Sequence, residues 1–211
     1  MKTLLAMIGL FVLGASFDAQ AGGLPYVDTI TAPNTEEVSL FILPDATGSP
    51  LASAQTFGGA STDARLTVRV VGADGVAIPY FPFDDLWLDS EATTQHSCVP
   101  RGFVGDDNSN INGEVAFANP LAGGGWSEGP IWLYIYGVKA LDLELVEVPP
   151  VAIRFNSADI NADGVVDMAD LPLFASDYYG PYAYRSDFHW DGVVNLSDLA
   201  KLATSLGSSC P

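Results

Sequence analysis

From about Glu36 to Pro149 the chain is written in short alternating runs separated by turn residues. Ala64-Arg65-Leu66-Thr67-Val68-Arg69-Val70 places an apolar side chain at nearly every second position and stops at Gly72-Ala73-Asp74-Gly75. Period-2 alternation ending in tight-turn chemistry predicts a half-buried β-strand. Val38 to Leu43, Gly113 to Ala118, Ile131 to Val138 and Leu141 to Val148 are further strand candidates. No stretch here carries helical spacing, and several short strands between Gly, Pro and Asp turns predict a β-sandwich. The period changes after Ser157. Leu171, Phe174, Ala175 and Tyr178 share one helical face, as do Leu199, Leu202, Ala203 and Leu206. The expected fold class is therefore mainly β with a small α module.

Each helical stripe is preceded by the same polar loop, first at Asp159–Asp170 and again at Asp187–Asp198. In the first, Asp159, Asn161, Asp163 and Asp170 hold positions 1, 3, 5 and 12, with Gly164 at 6, Val165 at 7 and Asp167 at 9. In the second, Asp187, His189, Asp191 and Asp198 stand at those positions, with Gly192 at 6, Val193 at 7 and Asn195 at 9. Alternating oxygen side chains around a glycine, with a backbone carbonyl at position 7, are what a hard cation such as calcium requires. Glycine at 6 allows a sharp turn that other residues adopt only at a cost. An ordinary EF-hand places a helix before this loop and Glu at position 12. Here Val148-Pro149-Pro150-Val151 and Gly180-Pro181 precede the loops and oppose a helix, so each unit is loop-then-helix.

That architecture resembles the dockerin domain of secreted bacterial proteins, a pair of loop–helix (F-hand) calcium motifs, from Ser157 to the end. The resemblance implies two calcium ions. Asp159, Asn161, Asp163, the Val165 carbonyl and Asp170 would hold the first, with Asp167 acting directly or through water. Asp187, Asp191, the Val193 carbonyl and Asp198 would hold the second, with Asn195 at position 9. His189 departs from the pattern, and imidazole is a poor calcium ligand, so the second site is expected to be the weaker. In the family, positions 10 and 11 help read a cohesin partner, often through a Ser-Thr pair. Met168-Ala169 and Leu196-Ser197 stand there instead, and either face a cohesin-like partner or enter this protein's own core. A module of ~55 residues buries too little apolar surface to be comfortably stable unaided, which gives calcium a structural role.

The β-rich region is similar to bacterial immunoglobulin-like domains. The carrying features are the Ala73-Asp74-Gly75 turn, Ile78-Pro79, and Asn110-Ile111-Asn112-Gly113-Glu114 ahead of Val115-Ala116-Phe117. This implies an Ig-like β-sandwich serving display or spacing. Met1-Lys2, an apolar run from Thr3 to Phe17 and Ala19-Gln20-Ala21 have the anatomy of a secretory signal peptide. The expected layout is a signal peptide at 1–21, a linker at 22–35, the sandwich at 36–150, a linker at 151–156 and the dockerin-like domain at 157–211. The expected location is extracellular or cell-surface, with no membrane span after cleavage.

A net charge of −18 with only eight Lys and Arg argues against a nucleic-acid partner, because phosphate binding runs on basic side chains. Export places Cys98 and Cys210 where disulfides persist, yet sequence gives no distance between them. Pairing, free thiols and interchain bridging all stay open.

Catalytic signals are thin. Asp84, Asp85 and Glu91 could supply glycosidase carboxylates, but acidic residues are common in this chain, so a non-enzymatic reading leads. His96 beside Cys98 lacks a third member for a nucleophilic triad. Asp106 to Asn112 reads as a polar hairpin loop in preference to a third cation site. Trp87, Trp126, Trp132, Tyr134 and Tyr136 offer aromatic surface. Core burial is the default for large aromatics, so Trp132, Tyr134 and Tyr136 are expected inside. An exposed face would instead suit a sugar or a partner protein. The leading expectation is a secreted, calcium-binding, non-catalytic modular protein that docks a partner or its own Ig-like domain. The alternative is an extracellular carbohydrate-binding component associated with polysaccharide degradation.

Overall fold

Residues 24–33 and 36–211 are described by a computed structural model. The expected signal peptide lies outside them. Chain periodicity becomes architecture through four sheets. The first orders β1 (Tyr26–Thr31), β5 (Leu66–Val71) and β9 (Glu114–Phe117), all antiparallel. The second orders β13 (Ile153–Ser157), β2 (Val38–Ile42), β3 (Ala54–Gln55) and β4 (Ser61–Thr62). The third orders β12 (Val138–Lys139), β11 (Ile131–Ile135), β6 (Leu86–Ser90) and β8 (Phe103–Val104). A two-stranded sheet pairs β10 (Gly123–Gly125) with β7 (Gln95–Ser97). Two helices follow, α1 (Asp170–Tyr178) and α2 (Leu196–Ser205). The protein is mainly β with a small helical module at its C-terminal end.

One core serves the first three sheets. Val68 and Val70 of β5, Leu86 and Leu88 of β6, Phe117 of β9 and Phe155 of β13 all point into it. A second core gathers Ile160, Val166, Phe174, Phe188 and Leu202 from the repeat module with Phe41 and Leu43. Strand β2 divides the two. Val38, Leu40 and Ile42 enter the first core, while Phe41 on its other face enters the second. Burial on both faces explains why β2 reads as a nearly continuous apolar run. β13 lies parallel to it, Ile153 opposite Val38 and Ser157 opposite Ile42.

Several expectations change. The segments read as linkers hold strands: β1 falls within 22–35 and most of β13 within 151–156. Leu141 to Val148 forms turns closed by an isolated Leu141–Glu147 bridge instead of a strand. The orientation of β11 is reversed. Ile131, Leu133 and Ile135 are buried, whereas Trp132 and Tyr134 are half-buried and Tyr136 is exposed. Both faces of this strand are apolar, so alternation identified the strand without saying which side was core. Asp106 to Asn112 joins β8 to β9, strands of different sheets, and is not a hairpin loop. Of the helical stripes, Phe174 and Leu202 are buried, but Ala175, Ala203 and Leu206 are exposed.

No helix among the described residues is long and apolar enough to cross a membrane.

Candidate metal loops

The loop at Asp159 is entered from β13, and the loop at Asp187 from a 3-10 turn at Tyr184–Ser186. Both loops then follow the same path. Backbone φ is positive at positions 4 and 6 of each, in Ala162 and Gly164 and in Trp190 and Gly192. This left-handed geometry is natural for glycine and costly for alanine or tryptophan, so the shape is imposed by the surrounding bonds.

Position 1 supplies the first set of bonds. Asp159 Oδ1 accepts from the Asp163 backbone N–H (3.1 Å) and Oδ2 from that of Gly164 (2.9 Å). Asp187 repeats the arrangement with Asp191 (3.2 Å) and Gly192 (2.9 Å). Position 12 closes the loop from the other side. Asp170 accepts from Ile160 (2.7 Å), Asn161 (3.2 Å) and Asp167 (2.9 Å). Asp198 accepts from the N–H groups of His189 (3.2 Å) and Asn195 (3.0 Å). Position 9 makes the same bond in both loops, Asp167 Oδ1 accepting from Ala169 N–H and Asn195 Oδ1 from Ser197 N–H, but only Asn195 is the N-cap of its helix. Asn195 with Asp198 forms a capping box.

The carboxylates of Asp159, Asp170, Asp187 and Asp198 are wholly buried. Burial raises the pKa of Asp159 to about 6, with smaller contributions from the negative charges of Asp170 and Asp163. Asp170 and Asp187 are also pushed upward, mainly by burial. Among the described residues, Asp159, Asp170 and Asp187 have no ion-pair partner. A buried carboxylate without a counter-charge is unfavourable. Each carboxylate has about four acceptor positions, more than its backbone bonds use, although among the described residues neither loop brings three acidic or imidazole ligand atoms within 4.8 Å of one another. The donor set is all oxygen in the first loop, which fits calcium.

In the second loop, His189 Nδ1 lies 3.0 Å from Asp198 Oδ1 and 3.3 Å from Ser197 Oγ. Its imidazole therefore engages a carboxylate that the first loop leaves to backbone donors alone.

Several residues around the loops escape ligand spacing. Tyr182 O–H donates to Asp187 Oδ2 (3.1 Å), and Asn156 Nδ2 donates to the Asp187 carbonyl (2.7 Å). The glycines of β10 press directly on the first loop. Gly125 N–H donates to the Asp159 carbonyl (2.6 Å), and a Cβ on Gly124 would collide with Asp159 Oδ2. The run Gly123-Gly124-Gly125 was the available signal, since glycines in a strand mark a close backbone approach.

Cys98 and Cys210 form a disulfide across 112 residues of sequence, with Cα atoms 5.3 Å apart. His96 is the third member of a group whose donor atoms lie within 4.8 Å of one another. Its two sulfurs are spent in the bond, which also removes any Cys-His nucleophile. The candidate glycosidase carboxylates answer to different cations, Asp85 to Arg101 (2.5 Å) and Glu91 to Lys139 (2.7 Å). The oxygens of Asp106 and Asn110 accept from backbone N–H groups of Ala118, Asn119, Asn112 and Glu114. Met168 and Leu196, at position 10 of each loop, are 70% and 68% exposed and do not enter the core.

No protein-family model, curated protein or solved structure matches the chain.

Proposed function

We propose that this chain is a secreted, calcium-binding, non-catalytic modular protein, with a dockerin-like pair of loops fastened to an Ig-like β-sandwich. The observation that carries the reading is the pair of buried carboxylates in each loop, Asp159 with Asp170 and Asp187 with Asp198. Calcium would neutralise them, and Asn161, Asp163 and the Val165 carbonyl would complete the first site. Asp191 and the Val193 carbonyl would serve the second, where His189 replaces an oxygen ligand. The ion supplies charge neutralisation and cross-links the loop. A hundredfold excess over the dissociation constant adds about 2.7 kcal/mol of stability.

Attachment to the sandwich is the role the packing supports best. The two regions share β2 and are joined by the β13–β2 ladder and the Cys98–Cys210 bond. A docking role for a cohesin-like partner draws on a separate feature. Val165, Met168, Val193 and Leu196 stand exposed at positions 7 and 10 of the two loops, a repeated apolar pair on the surface.

Calorimetric titration with calcium tests the core of the proposal. Two binding events are expected, the tighter abolished by Asp163→Ala and the weaker by Asp191→Ala. Absence of binding heat, together with a melting temperature indifferent to chelator, would reduce the repeats to turns and end the dockerin-like reading.

A further inference from the structure

On the outward face of β11 the two rings within the strand, Trp132 and Tyr134, are already covered. Tyr134 stacks on Trp87 at an interplanar angle of 9°, and Lys139 Nζ sits 3.8 Å from the centre of Trp132. A different place offers open rings beside polar forks. A cleft of about 500 Å3 opens at the seam between the sandwich and the second loop. That volume falls in the ~300–1,000 Å3 range of small-molecule sites.

Its floor is Trp190, buried to 5% exposure, with Phe57 edge-on to it at 5.8 Å. Phe57 and Tyr182 are 70% and 51% exposed. Arg154 extends from β13 between two carboxylates, with Nε 2.7 Å from Glu37 and Nη1 donating to Glu128 (3.1 Å). Its guanidinium carbon lies 5.9 Å from the Trp190 ring centre.

The charges narrow the choice of occupant. A phosphate or carboxylate ligand would meet three lining carboxylates, Glu36, Glu37 and Glu128, against the one guanidinium of Arg154, in a chain of net charge −18. A cation would find Arg154 already holding the position between Glu37 and Glu128. What remains is a neutral ligand with many hydroxyls. Planar carboxylates accept pairs of hydroxyl protons, a guanidinium donates to hydroxyl oxygens, and a sugar's C–H face covers an exposed ring.

We propose that this cleft binds a neutral sugar residue, stacked on Phe57 or Tyr182 and hydrogen-bonded by Arg154, Glu37 and Glu128. The cleft adjoins the second loop, since Trp190 belongs to it and Tyr182 bonds Asp187, but Arg154, Glu37 and Glu128 are not among the candidate calcium ligands.

The test uses the full chain in calcium-containing buffer, with binding read by quenching of tryptophan fluorescence. The probes are cellotetraose, xylotetraose, mannotetraose, N-acetylchitotetraose, spermidine and inorganic phosphate. Saturable binding of at least one of the sugars is expected, and of neither ion. Phe57→Ala and Glu128→Gln, which replace exposed side chains, should each weaken it about tenfold while leaving the melting temperature unchanged. Trp132→Ala should leave affinity unaltered. Failure of all four sugars, saturation by spermidine or phosphate, or sugar binding that responds to Trp132→Ala and ignores Phe57→Ala would each overturn the proposal.

Discussion

Lys201 illustrates how one side chain ties α2 to strand β2 within the second core. It reaches from α2 to donate to the Phe188 carbonyl (3.0 Å), with Nζ 4.1 Å from the Phe41 ring centre. Burial pushes its pKa down to about 8 from an ordinary 10.5, opposed by the nearby Asp198. Below pH 8 the folded and unfolded chains both carry the proton. Between about 8 and 10.5 the unfolded chain retains a proton that the folded one has released, so this group's contribution to stability grows as pH rises. Lys201→Met is therefore expected to stabilise the protein by about 1–2 kcal/mol at pH 7. That advantage should shrink on approach to pH 10, as thermal melts across the range would reveal. His189 gives the second prediction at this scale. His189→Asn restores an oxygen at position 3 and frees Asp198, so calorimetry should show the second site tightening about tenfold. The repeated loop was legible from Asp159 and Gly164 and again from Asp187 and Gly192, because the bonds that shape it are local. The bond from His189 to Asp198 was not, since it exists only once the loop closes.

Among the elements, β2 and β10 both press on the loops, β2 through Phe41 and β10 through Gly124. Phe41→Ala would remove a ring that packs edge-on against Phe188 at 5.4 Å. Such a truncation costs about 3–5 kcal/mol, and denaturant unfolding should register it together with weakened calcium binding. Leu40→Ala, one residue away on the opposite face, should destabilise the core between the sheets with a smaller effect on calcium affinity. Gly124→Ala would drive a methyl group into Asp159. We expect it to impair the first site selectively, as calorimetry against the unchanged second site would show. Strands such as β5 were legible because one face is polar and the other apolar. β11 misled because Trp132, Leu133, Tyr134 and Ile135 leave no polar face for contrast. β1 and β13 escaped notice because Pro25 and the Pro149-Pro150 pair read as linker chemistry, although Pro is tolerated just outside a strand.

At the scale of the whole molecule, a mainly β body and a small helical module were legible, but the packing of one on the other was not. It depends on pairings between residues far apart in sequence, for which local periodicity carries no information. Cys98→Ser with Cys210→Ser should lower stability by up to ~4–5 kcal/mol in the chain-entropy picture. The repeats should nevertheless stay attached through β13 and β2, so limited proteolysis of that variant ought to spare the junction. An isolated 157–211 fragment lacks Phe41 and Leu43 from its core, and circular dichroism should find it largely unstructured even with calcium.

The parallel ladder between β2 and β13 also sets an order of assembly. As the chain grows from its N-terminal end, β2 emerges early but cannot gain its parallel neighbour until residues 153–157 exist. The second core then waits for Phe188 and Leu202. A chain cut short early in the repeats would pair β2 with β13 but leave the Phe41 face of β2 bare, an apolar patch open to aggregation. The second core is thus complete only once Leu202 has emerged, and so many long-range contacts favour a slow approach to the native state.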